Sequence, residues 1–153
     1  MKPVKKSVLL WYSPREMYQL VTAVEHYPEF LPWCDRAQVL EQHADGLTAR
    51  LDLVFAGVRS SFTTRNIHED ERRVRVELVD GPFTHLDGDW VFKPLARPGA
   101  APGEVNACKV DFELRYAFSS GALEAVLSPV FDKVAATFVD RFVERAEAVY
   151  GRR

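Results

Sequence analysis

Between Leu47 and Tyr116, apolar and polar side chains alternate with a period of two, run after run. Leu47, Ala49, Leu51, Leu53 and Phe55 interleave with Thr48, Arg50 and Asp52, and Val74, Val76 and Leu78 interleave with Arg73, Arg75 and Glu77. Leu86, Gly88, Trp90 and Phe92 fall on one face, with Asp87 and Asp89 on the other. Cys108, Val110, Phe112, Leu114 and Tyr116 alternate with Lys109, Asp111, Glu113 and Arg115. Successive side chains of a strand point to opposite faces, so the pattern demands strands with one buried and one wet face. Gly57, Glu69-Asp70-Glu71 and Asp80-Gly81-Pro82 punctuate the runs, and Val58 to Ile67 forms a returning strand. Consecutive strands joined by short turns make an antiparallel meander. Ala96 to Gly103, rich in Pro, Gly and Ala, reads as a long hairpin loop and not as a domain linker.

The flanks obey different rules. Val4 to Trp11 is β-branched and apolar and predicts a first strand. Ser13-Pro14-Arg15-Glu16 is a helix start, with a capping Ser, a Pro suited to the first helical position and a carboxylate placed for a capping box. Met17, Leu20, Val21 and Val24 follow at helical spacing, which predicts a short helix ending near His26. Tyr27-Pro28-Glu29-Phe30-Leu31-Pro32-Trp33-Cys34 is apolar yet broken by two prolines, so it must tuck against something apolar. At the other end Leu123, Val126, Leu127, Val130, Phe131, Val134, Phe138, Phe142 and Val149 keep a helical period. Pro129 predicts a kink or a restart there. The fold class is therefore α+β: a curved antiparallel sheet of about six or seven strands around a long C-terminal helix, with one or two short helices after the first strand. A sheet wrapped around one helix readily leaves a cavity between them.

Composition narrows the function. A length of 153 residues fits a single domain over residues 1–153. Twenty Lys plus Arg against 22 Asp plus Glu give a net charge of −2, which argues against DNA as a partner. No apolar run approaches the ~20 residues of a membrane span, and Val8-Leu9-Leu10-Trp11 is too short for a signal sequence. Cys34 and Cys108 form no CxxC and read as two buried thiols of a reducing compartment, so the expected location is cytoplasmic. His26, His43, His68 and His85 are scattered without metal-ligand spacing, and Asp87 and Asp89 sit on a wet face. No metal site and no catalytic residue is expected, and no nucleophile elbow or phosphate-binding loop is present.

Particular segments carry a resemblance. They are Tyr12-Ser13-Pro14, Tyr27 to Cys34 (YPEFLPWC), Thr64-Arg65-Asn66, Gly81-Pro82-Phe83 with Leu86, Gly88 and Trp90, Val110-Asp111-Phe112, and Arg145-Ala146 with Val149-Tyr150-Gly151. In this order the chain resembles the helix-grip fold of the START-like superfamily. More narrowly it resembles the coenzyme Q-binding and ribosome-association-toxin family, also catalogued as polyketide cyclase/dehydrase or oligoketide cyclase. The Ala96–Gly103 loop is longer than that family leads one to expect. The resemblance implies a non-enzymatic binder of ubiquinone or a related isoprenoid, with no required cofactor, supporting respiratory electron transport. It also implies two alternatives: a toxin that binds the large ribosomal subunit and blocks subunit association, and an aromatase/cyclase acting on a polyketide.

The candidate ligand-binding residues follow. Tyr27, Phe30, Leu31 and Trp33 form a pocket gate, or a lip that touches a membrane surface transiently at the inner membrane, or else a plug in the core. Phe62, Leu86, Trp90 and Phe112 from the sheet, and Val130, Phe131, Val134 and Phe138 from the helix, are pocket wall or filled core. Phe83 is either a ligand contact or the inward residue of a tight turn. Alternation sends one of Arg65 and Asn66 inside, where it could donate to a quinone carbonyl. The ribosome reading needs a cationic face, for which Arg72, Arg73 and Arg75 and the cluster Lys2, Lys5 and Lys6 are the candidates, against a net charge of −2.

Overall fold

The structure, a computed structural model, describes residues 2–153, with Met1 and the side chain of Lys2, part of the expected cationic cluster, outside the described set. Seven strands form one sheet: β1 (Lys2–Leu10), β2 (Cys34–His43), β3 (Gly46–Phe55), β4 (Val58–Glu69), β5 (Arg73–Asp80), β6 (Phe83–Leu95) and β7 (Ala107–Phe118). Their order is β1-β7-β6-β5-β4-β3-β2, every neighbouring pair antiparallel, so the meander closes with the first strand beside the last. Register shifts interrupt the pairing in β2, between Thr63 and Thr64 of β4, and between Phe83 and His85 of β6. Such bulges bend a strand and increase its twist, which curves the sheet around the long helix α2 (Gly121–Tyr150).

The short helix α1 (Pro14–Thr22) starts with the expected capping box. Ser13 Oγ accepts from the Glu16 N–H at 3.2 Å, and the Glu16 carboxylate accepts from the Ser13 N–H at 2.9 Å. It ends at Thr22, earlier than the His26 expected, because a 3-10 turn over Val24–Glu29 takes the chain to Pro28 and Phe30. The residue before a proline disfavours α geometry, and Tyr27 precedes Pro28. Met17, Leu20 and Val21 of α1 are buried. The end of α2 is tied to α1: Tyr150 Oη donates to the Glu16 carbonyl at 3.1 Å, and Arg153 makes a two-pronged contact with Glu16 at 2.7 Å.

Two expectations for α2 are corrected. It runs unbroken through Pro129, capped at its start by Ser120, whose hydroxyl accepts from the Leu123 N–H at 3.1 Å. Pro129 deprives the Ala125 carbonyl of its intrahelical donor, but Ala125 and Pro129 are both exposed, so water reaches that carbonyl. Val126 and Val149, expected on the apolar face, are 57% and 50% exposed, whereas Val139, Ala135 and Ala146 are buried. Cys34 and Cys108 are both free and buried; burial pushes their thiols up to about 11 and about 12, so both are protonated and unreactive near neutrality. Among the described residues no helix is long and apolar enough to cross a membrane.

Candidate functional site

The inner face of the sheet and α2 enclose an apolar cavity of about 80 Å³. The alternation that builds the strands also builds its walls. Leu51 of β3, Phe62 of β4, Val76 of β5, Leu86 and Trp90 of β6, and Phe112 and Leu114 of β7 all face it. Gly88 stands at its floor, where a Cβ would lie 3.3 Å from Leu114 Cδ1, so the missing side chain leaves room between β5 and β7. Phe131 and Phe138 of α2 close the top, two helical turns apart. Phe138 packs against Trp33, Trp90 and Phe112 with ring centroids at 5.7, 5.6 and 5.5 Å, and Phe131 packs on Phe83 at 5.1 Å and Tyr116 at 4.6 Å. These distances suit tilted and edge-on aromatic pairs, which hold the walls in fixed orientations.

A few polar groups interrupt this lining. Thr64 and Asn66 project inward from β4 and are 5% and 7% exposed, and the Thr64 hydroxyl donates to Asn66 Oδ1 at 2.8 Å. Trp33 is 4% exposed, and its indole Nε1 is buried with no hydrogen-bond partner. A buried donor left unpaired costs about 1–3 kcal/mol. Tyr27 is the titratable side chain in the lining. Its hydroxyl donates to the Val21 carbonyl at 2.5 Å, and burial pushes its pKa far above the ordinary phenol value. That group is neutral and committed, so it offers the cavity neither an acid nor a base near neutral pH.

Of the residues singled out in the sequence, Tyr27, Trp33, Phe62, Asn66, Leu86, Trp90, Phe112, Phe131 and Phe138 line the cavity. Phe30, Leu31, Phe83, Val130 and Val134 do not. Leu31 is completely buried, and Tyr27 and Phe30 set their rings against Phe142 at 5.3 and 5.0 Å. Tyr27, Leu31 and Trp33 therefore form a plug under α2 and not an exposed lip, while Phe30 is partly open beneath the Arg145 guanidinium at 5.1 Å and Pro28, Glu29 and Pro32 are exposed. Phe83 stacks on Phe118 at 5.0 Å, as the inward residue of the turn. Val130 and Val134 are buried on α2 outside the cavity wall. Leu51, Thr64, Val76, Gly88 and Leu114 were missed, although each shares the register of a neighbour that was named.

Arg65 is the clear correction. Asn66 takes the inside position, and Arg65 turns outward to pair with Asp45 and to donate to the Asn66 carbonyl at 3.0 Å. It clasps the β2–β3 turn to β4 and has no access to the cavity. His68 stands next in this group, its ring edge-on to Tyr18 at 6.1 Å and its Nε2 buried without a partner. Burial first, and then the Arg65 charge, lower its pKa, with Asp45 pulling the other way. The unfolded chain therefore takes up a proton here at higher pH than the folded one. The stabilisation is complete above about 6.5 and is lost as the pH falls below it. Unfolding free energy measured with urea should fall between about pH 7 and 5.5, and His68→Phe should flatten that decline; an unchanged slope would show that the titration lies elsewhere.

The wet face carries ion pairs, not a constellation. Arg73 grips Asp89 through two contacts at 2.8 and 2.7 Å, Arg115 and His85 bind Asp87, and Lys6 lies 3.3 Å from Asp140. Two of the expected cations, Arg73 and Lys6, are thus matched by acids, while Arg72 and Arg75 are exposed. Among the described residues no group of His, Cys, Asp and Glu is arranged to hold a metal ion.

A family model described as polyketide cyclase / dehydrase and lipid transport matches residues 10–143. The ribosome association toxin RatA of Escherichia coli K12 is 37% identical over 153 residues, covering 100% of this chain and 92% of that relative. The mitochondrial coenzyme Q-binding protein COQ10 homolog B of Xenopus laevis is 30% identical over 149 residues, which are 97% of this chain but 59% of that relative. A solved START superfamily protein from Mycobacterium smegmatis superposes with a TM-score of 0.77 at 19% identity, covering 96% of this chain and 98% of that one.

Proposed function

Because the chain belongs to the polyketide cyclase/dehydrase and lipid transport family and has a START-like fold, we propose that it binds a hydrophobic isoprenoid of the ubiquinone type between sheet and helix, without turning it over. The observation that carries this reading is an apolar, aromatic-walled cavity whose few polar groups are uncharged. A polyprenyl tail needs only apolar area, at ~25 cal/mol per Å² removed from water, and a quinone ring needs flat walls and a donor for its carbonyls. Thr64 and Asn66 offer that polar spot, the Thr64 hydroxyl already fixing the orientation of the Asn66 amide. The relative named coenzyme Q-binding protein supports the same ligand class.

A space of about 80 Å³ is several-fold below the ~300–1,000 Å³ of ordinary ligand pockets, so the ligand must open it. The first turns of α2 are the part suited to yield. Most positions from Gly121 to Val126 are exposed, and Pro129 has already removed one hydrogen bond of the helix. Trp33 and Trp90 make the test direct, since a quinone entering beside them quenches their fluorescence. We expect saturable, stoichiometric quenching by a short-chain ubiquinone and a quinone co-purifying with the protein from its own host. Quenching that never saturates, together with a lipid-free protein by native mass spectrometry, would overturn the reading.

A second reading is favoured by one finding: the relative matched over nearly its whole length is named for ribosome association. Such an activity would act through the outer surface in the cytoplasm, with Arg72 and Arg75 as exposed cations, and does not compete with the cavity. Purified protein in excess should then shift ribosomes toward free subunits on sucrose gradients, and an unchanged profile would remove it. A cyclase has less support, because it needs an acid or base aimed at the substrate and the titratable group in this lining is the committed hydroxyl of Tyr27.

A further inference from the structure

One side chain of the cavity lining carries a donor that the folded chain leaves unused. The Trp33 indole Nε1 is buried without a partner, although the residue is held firmly: its backbone carbonyl accepts from the Val54 N–H at 2.9 Å, and its ring lies 5.7 Å from that of Phe138. In the same lining the Trp90 indole nitrogen is not one of the fully buried, unpaired atoms. Buried N–H groups are paired in native proteins almost without exception, because an unpaired one loses its water and gains nothing. A fixed side chain of a cavity lining that keeps such a group unpaired is therefore arranged for a partner from outside the chain. The partner must be an acceptor, since an indole nitrogen can only donate. It must be uncharged, because among the described residues no cationic side chain lines the cavity to accompany an anion. Opening the cavity by displacing Phe138, the ring packed on Trp33, is the movement that would bring an acceptor within reach.

We propose that Trp33 is a specificity-determining residue whose indole N–H binds a carbonyl oxygen of the hydrophobic ligand, so that the cavity selects carbonyl-bearing rings over hydrocarbons of the same shape. The proposal rests on the binding function argued above and names the chemistry that function reads. Asn66 adds a second donor: its Oδ1 already accepts from Thr64, which turns the amide nitrogen toward other partners. A para-quinone, with acceptors on opposite edges of one flat ring, suits two donors in an otherwise apolar wall. A saturated lipid would leave the Trp33 N–H stranded in the bound state as well.

The decisive measurement uses the unaltered protein. Among the indole N–H resonances of the three tryptophans, that of Trp33, assigned with W33F, should move downfield on adding decyl-para-benzoquinone and stay in place with decylbenzene. Calorimetric titration supplies the affinities. W33F should lose roughly tenfold in affinity for the quinone relative to decylbenzene, about the worth of one hydrogen bond made in a dry site. W90F, the same truncation in the same wall, should weaken both ligands alike. Equal shifts of the Trp33 resonance with both ligands, or no shift while both bind, would overturn the proposal and leave the binding function intact. Failure of the unaltered protein to bind either ligand would overturn the binding function itself, and this assignment with it.

Discussion

Phe142→Ala is expected to lower the free energy of unfolding by about 3–5 kcal/mol. Phe142 is completely buried on α2, with ring contacts to Tyr27, Phe30, Trp90 and Phe138 at 5.3, 5.0, 5.2 and 5.1 Å. It thus joins the irregular Tyr27–Cys34 segment, the sheet and the helix at one point. Truncation removes transferred apolar surface and leaves a void whose rim cannot collapse, because Tyr27 is anchored to Val21 and Trp90 to the sheet. For a chain of this size the melting temperature should drop by roughly 10 °C. Phe30→Ala, at a position that is only partly buried, should cost clearly less. A loss below about 1.5 kcal/mol for Phe142→Ala would mean that α2 does not seat on the plug as described, and would reopen the possibility that Tyr27–Cys34 swings as a gate.

How much of this could be read beforehand depends on how each element signals itself. Five strands of the sheet were legible because Leu47–Phe55 and its successors bury one face and wet the other. Strand β2 was not placed from the sequence, for a physical reason: it lies at the sheet edge, and Cys-Asp-Arg-Ala-Gln-Val-Leu-Glu-Gln-His has one fully buried residue, Cys34, and no alternating apolar face. Pro129 misled in the opposite direction, since a proline signals a break while an exposed carbonyl facing water tolerates one. At the site, periodicity identified the walls but not the polar spot. Phe62, Thr64 and Asn66 share one face of β4, so the inward position of Asn66 follows from that of Phe62 by alternation, a parity that Thr64-Arg65-Asn66 taken alone does not declare. Trp33 was named for its aromatic character, whereas the feature that matters is an unpaired nitrogen, visible only once its surroundings are known.

Gly46→Ala should cost about 3 kcal/mol or more, and it should act on the ligand site as well as on stability. Gly46 opens β3 opposite Ile67, at a φ of +151° that side chains rarely adopt. A Cβ built there would lie 1.9 Å from the Asn66 carbonyl oxygen and 3.0 Å from its carbon. The obstacle is backbone, so no rotamer relieves it; β3 and β4 must separate or Asn66 must shift. Arg65 holds the same carbonyl at 3.0 Å and pairs with Asp45, so a shift also loosens the clasp on the β2–β3 turn. Gly57→Ala isolates the conformational part, because Gly57 has φ +81° but nothing within 4 Å of an added Cβ; it should cost only about 1 kcal/mol. Urea unfolding of the two variants measures the difference. Quinone titration of folded Gly46→Ala, at a temperature well below its melting point, should reveal weakened binding, because displacement of the Asn66 backbone carries its amide away from Thr64 and out of the cavity. Wild-type affinity in a destabilised Gly46→Ala would separate the two effects and remove Asn66 from the binding argument.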